Sequence, residues 1–318
     1  MPGMRTHEAS GSLTVHRVIS QEDIRLEDCV LPEPERSATV MRPEGSGPGN
    51  WAGSPSAVAR DGEIVLAYRM RRPGARGNSV GIARSADGEH FTNVAVITKD
   101  EMDAESLERP ALTVTADGTW RLYLSCATWG TRHWRIEVLE ATAPHRFDPA
   151  TRSVLLAGDA SRAVKDPVIS WHDGRWHMWV CVHPLGDPAN TDRMWTEYAT
   201  SADGLDWEFR GPALLPRDGQ WDARGARVTA VQFSPAGVLA YYDGRATAAE
   251  NFEERTGLAF GAAPGALTAV GARPAAQSSA GGLGLRYLTV LPLGDGRRRL
   301  YYELTVQGGA HELRTELR

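Results

Sequence analysis

Lysine, cysteine and long apolar runs are all scarce in this chain. Lys99 and Lys165 are the only lysines among its 35 basic residues. Its three cysteines, Cys29, Cys126 and Cys181, lie far apart without C-x-x-C spacing, which argues against a disulfide framework and against a zinc knuckle. No stretch approaches the roughly 18 consecutive apolar residues of a membrane span. The sequence therefore predicts neither a disulfide scaffold nor a membrane protein.

Basic and acidic residues are nearly equal in number. The 318 residues include 35 basic and 40 acidic side chains, which give a formal net charge of −5. Nucleic acids and anionic membranes are bound by strongly basic surfaces, and this balance does not favour such a partner. The opening residues, MPGMRTHEASGS, lack the apolar segment of a signal peptide. We therefore expect a cytoplasmic protein that binds neither a nucleic acid nor a membrane.

Five segments of the chain repeat one plan: a short apolar run, a turn of the Asp-Gly type, and a second run that ends in aromatic residues. The second residue of each segment recurs at steps of 55, 57, 61 and 60 residues, and an aromatic residue follows it by 12 or 13 positions. Recurrence at both levels indicates a repeated structural unit. The segments are SPSAVARDGEIVLAYR from Ser54, RPALTVTADGTWRLYLS from Arg109, DPVISWHDGRWHMWVC from Asp166, RVTAVQFSPAGVLAYYD from Arg227 and YLTVLPLGDGRRRLYYE from Tyr287.

Each segment predicts two antiparallel strands, because alternating residues flank a turn in which glycine can adopt a positive φ. A third strand follows each pair, and the turns SADGEHF and SADGLDW lead to a fourth. Four-stranded units at this period are typical of β-propeller blades. We therefore predict an all-β fold, a single five-bladed β-propeller of four-stranded antiparallel blades, in one domain over residues 1–318. The blades begin near residues 51, 106, 163, 224 and 284, and the segment 1–50 adds a ring-closing strand within residues 12–30.

Charged residues cluster where the inner strand of each predicted blade begins. These strands line the central channel of a propeller, so their starts are the first candidates for a functional site. A second set of polar residues, Asp243, Glu303 and His183, follows the aromatic positions of the companion strands. Carboxylates from separate blades around one funnel are what acid/base chemistry on a glycosidic bond requires. The charged residues at the inner strand starts are Glu108, Arg109, Lys165, Asp166, Arg227 and Arg286.

At these positions the chain resembles a known group of enzymes. The segments ERPAL at Glu108 and KDPVI around Asp166, with the SADG turns and YYDGR at Tyr241, are similar to the five-bladed glycoside hydrolases of families 43, 32, 62, 117 and 130. The resemblance covers roughly residues 50–318. It implies a glycosidase-like enzyme that acts on a small-molecule carbohydrate or a glycosylated metabolite. No cofactor is indicated, and nothing marks the ligands of a metal ion, although some relatives hold calcium in the channel.

The resemblance also implies roles for individual carboxylates. In families 43 and 32 a Glu two residues before a Pro is the general acid, and Glu108 with Pro110 matches this pattern. An Asp directly before a Pro is the base, the nucleophile or a stabilising carboxylate, and Asp166 with Pro167 matches that one. The candidate catalytic residues are therefore Glu108, Asp166 and Asp243.

The first predicted blade departs from those families. Ser54 precedes Pro55 where the families carry an Asp, and the Glu-bearing blade precedes the Asp-bearing one. The third carboxylate is missing from its expected place, and Asp243, Asp222 or Glu303 could substitute for it. Two other functions stay open: a non-hydrolytic step such as elimination, cyclisation or transfer, and a non-catalytic carbohydrate-binding module.

Aromatic faces and guanidinium groups are the usual means of holding a sugar ring. The arginines near the predicted funnel favour an anionic or highly oxygenated substrate. The candidate substrate-binding residues are Trp51, Ser54, Arg71, Arg109, Lys165, His183, Trp195, Asp222, Arg227, Arg245, Tyr287 and Glu303.

Structural roles are open for the same side chains. Glu108 and Arg109 could form an ion pair between blades. Asp166 could cap a strand or pair with Lys165. Asp243, in the segment YYDGR, resembles a turn residue.

Overall fold

A computed structural model describes residues 29–318, which form an all-β protein. The only helices among these residues are three-residue 3-10 helices at Pro34–Arg36, Pro149–Thr151 and Ala248–Glu250. No helix in this part of the chain has the length and apolar character needed to cross a bilayer. The strands are β1 (Ala38–Met41), β2 (Trp51–Arg60), β3 (Glu63–Arg72), β4 (Arg76–Ser85), β5 (Thr92–Thr98), β6 (Ala111–Val114), β7 (Trp120–Ala127), β8 (Trp134–Ala141), β9 (Ser153–Leu156), β10 (Arg162–His172), β11 (Arg175–Pro184), β12 (Trp195–Ser201), β13 (Glu208–Leu214), β14 (Gly225–Ser234), β15 (Gly237–Arg245), β16 (Arg255–Ala263), β17 (Ala266–Val270), β18 (Leu285–Pro292), β19 (Arg298–Thr305) and β20 (His311–Leu317).

The described strands form three separate four-stranded antiparallel sheets and one sheet of eight strands. The three sheets are β6–β9, β10–β13 and β14–β17, each in chain order, which confirms the prediction of four-stranded antiparallel units. The larger sheet has the order β18-β19-β20-β2-β3-β4-β5, and β1 pairs with β20. Its two halves meet at one parallel residue pair, Trp51 with His311, where the two rings stack with centroids 4.7 Å apart. The first and fifth predicted units therefore share a sheet instead of standing apart.

The strands fall into five groups of four, which are named here in chain order. The first to fourth groups are β2–β5, β6–β9, β10–β13 and β14–β17, and the fifth is β18–β20 with β1. The five larger apolar clusters in residues 29–318 each combine residues of two groups: first with second, second with third, third with fourth, fourth with fifth, and fifth with first. The first strands of the groups, β2, β6, β10, β14 and β18, contact one another in the same order. These are the inner strands.

One strand start differs from the sequence prediction, and one expected strand cannot be compared. The second inner strand begins at Ala111 and not near residue 106, because the preceding residues make only an isolated bridge between Leu107 and Cys126. The strand expected within residues 12–30 falls mostly outside the described part of the chain. The strand from the N-terminal side that pairs with β20 is β1, Ala38–Met41.

The two SADG turns dock neighbouring groups onto each other. In each turn the Asp side chain, Asp87 or Asp203, accepts hydrogen bonds from the backbone N–H groups two and three residues further along the chain, as in an Asx turn. The glycine of the turn presents its carbonyl to a buried tyrosine of another group. Tyr123 donates to Gly204 O at 3.0 Å, and Tyr301 donates to Gly88 O at the same distance. The repeated turns therefore serve structure, as a link between groups.

This link gives a first prediction. We expect Tyr123→Phe to lower the free energy of unfolding by about 1 to 2 kcal/mol, because the buried Gly204 carbonyl loses its donor. The matched control is Tyr68→Phe, since the acceptor of the Tyr68 hydroxyl is the exposed Asn93 side chain, to which water can donate instead. Urea unfolding of both variants measures the difference. Equal stability of the two variants would contradict the role given to the turn.

Candidate active site

Three inner strands adopt an unusual backbone conformation at equivalent positions. Ser54, Asp166 and Tyr287 adopt φ values of 53°, 57° and 56°, a left-handed region that side chains other than glycine rarely occupy. The pairing of each strand with its neighbour shifts register at these residues. A β-bulge of this kind redirects side chains, and backbone strain of this kind concentrates at functional sites. All three side chains are buried.

Five buried carboxylates lie near these bulges, and each is at most 5% exposed. Every one of them pairs with at least one arginine. These carboxylates, with five of the side chains that contact them, are called the carboxylate cluster below. Its carboxylates are Glu108 just before β6, Asp166 in β10, Asp243 in β15, Glu254 just before β16, and Glu303 in β19. Its other members are Arg69, Arg227, Arg286, Tyr287 and His311.

Arg227 joins the third, fourth and fifth groups. Its Nη1 donates to Asp166 Oδ2 at 3.0 Å, and its Nη2 donates to Asp243 Oδ2 at 2.7 Å. The Tyr287 ring lies 3.9 Å from the Arg227 Cζ, and the Tyr287 hydroxyl accepts from Nη1 at 3.0 Å. The backbone N–H of Tyr287 donates to Asp243 at 3.1 Å. One guanidinium therefore fixes two carboxylates and an aromatic ring.

Arg69 and Arg286 hold Glu303 in a similar way. Arg69 donates to Glu108 through Nη1 and to Glu303 through Nη2, the latter at 2.8 Å. Arg286 Nε donates to Glu303 at 2.8 Å, and His311 Nδ1 lies 2.7 Å from the same carboxylate. Arg69 thus links the first group to the second and the fifth.

Glu303 occupies the space beside the first inner strand where the sequence lacks a carboxylate. Its Oε2 lies 3.5 Å from Ser54 Oγ. A Cβ at Gly53 would lie 2.1 Å from the same oxygen, so the glycine makes room for the carboxylate. Of the three candidate substitutes, Glu303 is therefore the one next to Ser54. Asp243 pairs with Arg227 instead.

Glu108, Arg71 and Lys165 form the partly open end of the cluster, called the mouth below. Arg71 and Lys165 keep 17% and 14% of their side chains exposed. Arg71 Nη1 lies 3.7 Å from Glu108 Oε1, and its Cζ lies 4.2 Å from the ring centroid of Trp51. Lys165 Nζ lies 3.6 Å from Asp166 Oδ2 and 5.0 Å from the ring centroid of Trp134. The mouth therefore combines two cations and a carboxylate, and each cation packs against a buried indole ring.

The carboxylates differ in proton affinity. Burial favours the protonated form of Glu108, but Arg69, Lys165 and Arg71 together outweigh burial and lower its pKa to about 2. Burial raises the pKa of Asp243 to about 6 although Arg227 opposes that shift. Glu303 is also buried, yet Arg286 and Arg69 hold its pKa well below the usual range. At neutral pH Glu108, the carboxylate of the mouth, is therefore ionised. Of these three carboxyl groups, Asp243 has the highest pKa.

The pKa of Asp243 gives a second prediction. Unfolded Asp243 loses its proton near pH 3.8 and folded Asp243 near pH 6, so between these values the folded state binds more protons. The stability that this group contributes is complete below pH 3.8 and is lost as the pH rises through 6. We expect the unfolding free energy of the wild type minus that of Asp243→Asn to fall by about 2 to 3 kcal/mol from pH 4 to pH 6.5. Urea titrations across this range measure it, and a rising difference would contradict the direction.

Of the other predicted substrate-binding residues, His183 lies beside Lys165 of the mouth. His183 is 3.5 Å from Cys181 Sγ through its Nε2, and burial with the nearby Lys165 holds the His183 pKa well below 6.5. Trp195 is half-buried at the start of β12, and its Nε1 donates to Glu197 at 3.4 Å. His183 is therefore neutral, and its Nδ1 lies 3.2 Å from Thr191 O.

Three other predicted residues take different positions. Asp222 is buried against Arg217 and Tyr242, apart from the cluster. Arg245 is buried behind the cluster, where it pairs with Glu254. Arg109 directs its guanidinium to acceptors on the far side of the bulges, described below. We predicted these side chains in the funnel because the sequence shows where a residue lies along the chain. It does not show which way its side chain points.

Three cluster residues were not singled out in the sequence: Arg69, Glu254 and His311. Arg286 was named among the charged inner-strand starts but was given no role in binding. The clearest missed signal is in the first hairpin, where Arg69 pairs with Gly53 across the strands. Nothing in the sequence indicated His311, because it lies on β20, which is brought to the first group only by the pairing of His311 with Trp51. No group of three or more His, Cys, Asp or Glu side chains within residues 29–318 has the arrangement to hold a metal ion.

Solved structures share this fold. A thermostable family-43 glycoside hydrolase matches with a TM-score of 0.67 at 12% identity, covering 88% of this chain and 91% of that one. The β-1,2-mannobiose phosphorylase from Listeria innocua, in complex with β-1,2-mannobiose, matches with a TM-score of 0.60 at 13% identity, covering 90% and 94%. A structure from the family 130 of mannoside phosphorylases, which contains glycoside hydrolases that target β-1,2-mannosidic linkages in Candida mannan, matches with a TM-score of 0.57 at 18% identity, covering 90% and 95%.

The structural neighbours are thus glycoside hydrolases of the family 43 and family 130 types, as the resemblance in the sequence implied. No protein-family model and no curated protein sequence matches the chain. At these identities the likeness establishes the fold.

Proposed function

We propose that this protein is a glycosidase-like enzyme that acts on a small carbohydrate or a glycosylated metabolite at the mouth. The observation that carries the proposal is the convergence of Glu108, Asp166, Asp243 and Glu303 from separate strand groups around shared arginines. The neighbours with the same fold include enzymes that cleave glycosidic bonds and one bound to a disaccharide. The cations Arg71 and Lys165 favour a substrate that carries an anionic or highly oxygenated group.

We also propose that the five groups close into one five-bladed propeller domain. Two observations support closure: the apolar clusters join each group to the next and the fifth to the first, and the inner strands contact in the same cyclic order. Radial packing of this kind buries both faces of each sheet. The mouth would then lie on the axis of the ring.

Glu108 is the carboxylate that we assign to the substrate, because it is the member of the cluster beside the partly exposed Arg71. An ionised Glu108 suits a general base or a nucleophile. The general-acid role that the resemblance implies requires a proton, so substrate binding would have to weaken the Arg69 pair and raise the pKa of Glu108. We assign Asp166 and Asp243 as positioning residues, since they are fully buried and contact Lys165 and Arg227.

A specific observation favours a second function. The mouth combines an ionised Glu108 with Lys165 and Arg71, and no carboxyl there retains its proton at neutral pH. Removal of a proton by Glu108, with the cations stabilising the negative charge that develops, fits an elimination or a transfer as well as a hydrolysis.

The nature of the products separates these functions. The purified protein is incubated with a panel of neutral glycosides, uronides and phosphorylated sugars, and the products are identified by mass spectrometry. Incorporation of water from H₂¹⁸O indicates hydrolysis, and a cleaved product without added water indicates elimination or transfer. Tight binding of a sugar that is recovered unchanged indicates a carbohydrate-binding module and would overturn the proposal of an enzyme.

A further inference from the structure

A second cavity lies between the inner strands, beyond the bulges. It has a volume of about 510 Å³ and is lined by residues from all five inner strands. In each strand these residues come after the ones that enter the carboxylate cluster: Asp166 and Tyr287 belong to the cluster, whereas Val168 and Thr289 line the cavity. The size falls within the usual range for small-molecule sites.

Arg109 forms the end of this cavity nearest the cluster. Its Nη2 crosses the space between the inner strands and donates to Thr229 O at 2.7 Å, to Thr289 Oγ1 at 3.3 Å and to Pro55 O at 3.4 Å. Its Cζ lies 5.9 Å from the ring centroid of Tyr287, which belongs to the cluster. The guanidinium therefore separates the two sites.

The charge of Arg109 is not compensated at short range. Its acceptors among residues 29–318 are two carbonyl oxygens and one hydroxyl, all uncharged, whereas Arg69, Arg227 and Arg286 each contact carboxylates. Arg109 is 3% exposed, and its Nε and Nη1 have no hydrogen-bond partner within the described residues. Burial lowers the pKa of Arg109 to about 10, so it remains charged at neutral pH. A buried cation with free donors gains strongly from an anionic partner.

The rest of the cavity wall indicates what that partner carries. Thr113 contributes a buried hydroxyl close to that of Tyr123. Most other lining side chains are apolar, including Val58, Leu112 and Val231, and the rings of Trp171 and Trp176 also line the cavity. Trp171 is 53% exposed, which places an aromatic face at the solvent side. Arg298 adds a second cation to the lining, opposite Pro292 at the end of β18, but it is half-buried whereas Arg109 is buried. A ligand with its charged end on Arg109 and an apolar body matches this wall.

We propose that this cavity binds a small organic carboxylate, with its anionic group on Arg109 and its aromatic or aliphatic body along the apolar wall towards Trp171. The site is separate from the mouth and independent of the proposed function. Its ligand can be present whether or not the protein cleaves a glycosidic bond.

Benzoate and 3-phenylpropionate are the probes, titrated into the full-length protein and followed by calorimetry and by tryptophan fluorescence, since Trp171 and Trp176 line the cavity. We expect dissociation constants of about 1 mM or lower, and binding weaker by at least about tenfold for the uncharged benzamide. Arg109→Met should abolish benzoate binding. Arg60→Met, which changes a surface arginine, should leave it intact.

Ser170→Phe provides a variant that fills the cavity and leaves Arg109 in place. It should also abolish benzoate binding, and it keeps the test valid if Arg109→Met does not fold. Equal affinity for benzoate and benzamide would overturn the proposal, as would unchanged binding to Ser170→Phe. Inorganic phosphate binding as tightly as benzoate would show an anion site without the apolar specificity and would overturn the assignment of an organic carboxylate.

Discussion

Replacement of Glu108 by Gln should reduce turnover by about 10²- to 10⁴-fold while the fold survives, because the variant keeps the shape of the side chain and loses its charge. Arg69 retains its second carboxylate, Glu303, so the buried guanidinium is still paired. The measurement is kcat on the substrate that the panel identifies, together with the urea unfolding curve. The matched control is Glu140→Gln, in which a partly exposed carboxylate pairs with Arg121 away from the cluster.

Two results would remove Glu108 from the reaction. One is turnover above a tenth of the wild-type value in a folded Glu108→Gln protein. The other is an equal loss in Glu140→Gln. Asp166→Asn should lower turnover as well. Because we assign Asp166 as a positioning residue for Lys165, which lies 3.6 Å away, the variant should also change the pH dependence of turnover. A uniform loss without a change in the profile would indicate a structural role alone.

Replacement of Arg227 by Met should lower the free energy of unfolding at pH 7 by at least about 3 to 5 kcal/mol, since breaking a buried ion pair leaves a carboxylate without its partner. Arg227 is 2% exposed and pairs with both Asp166 and Asp243. Urea unfolding measures the loss. The matched control is Arg84→Met: its pair with Glu63 is exposed, so the cost should stay below about 1 kcal/mol.

A double variant makes this prediction specific to charge. Arg227→Met combined with Asp243→Asn should be more stable than Arg227→Met alone, because the second change removes the carboxylate that the first change leaves without a cation. Asp166 keeps Lys165 as a partner. A single variant within about 1 kcal/mol of the wild type, or a double variant less stable than the single one, would show that Arg227 does not hold the cluster together.

The strand groups were predictable from the sequence because their signals are local. Alternation, Asp-Gly turns and a regular period act over a few residues, and they located the hairpins around Gly62, Gly118, Gly174 and Gly296. The shared sheet of the first and fifth groups was not predictable. It depends on one contact, Trp51 with His311, between residues 260 positions apart in the chain.

The site was predictable only where strand register follows sequence spacing. Counting from the aromatic residue of each second strand finds Asp243 and Glu303, which lie opposite inner-strand arginines. In the first hairpin the same count, two residues after the aromatic Tyr68, reaches Met70. In the structure, however, the place of the aromatic residue is taken by Ala67, which pairs with Ser56. The residue equivalent to Asp243 and Glu303 is therefore Arg69, one position before Met70. A one-residue difference in register changes which side chain faces the cluster.

The pairing of β1 with β20 ties the two ends of the described chain together. Ala38–Met41 hydrogen-bonds to the last strand, and the N–H of Glu33 donates to the Glu316 carboxylate at 2.9 Å. The first strand therefore covers one edge of the last strand, whose other edge is held by β19. Backbone amides of the edge strand β1 should consequently exchange with deuterium before those of β20, although removal of β1 should speed exchange on the edge of β20 that it covers.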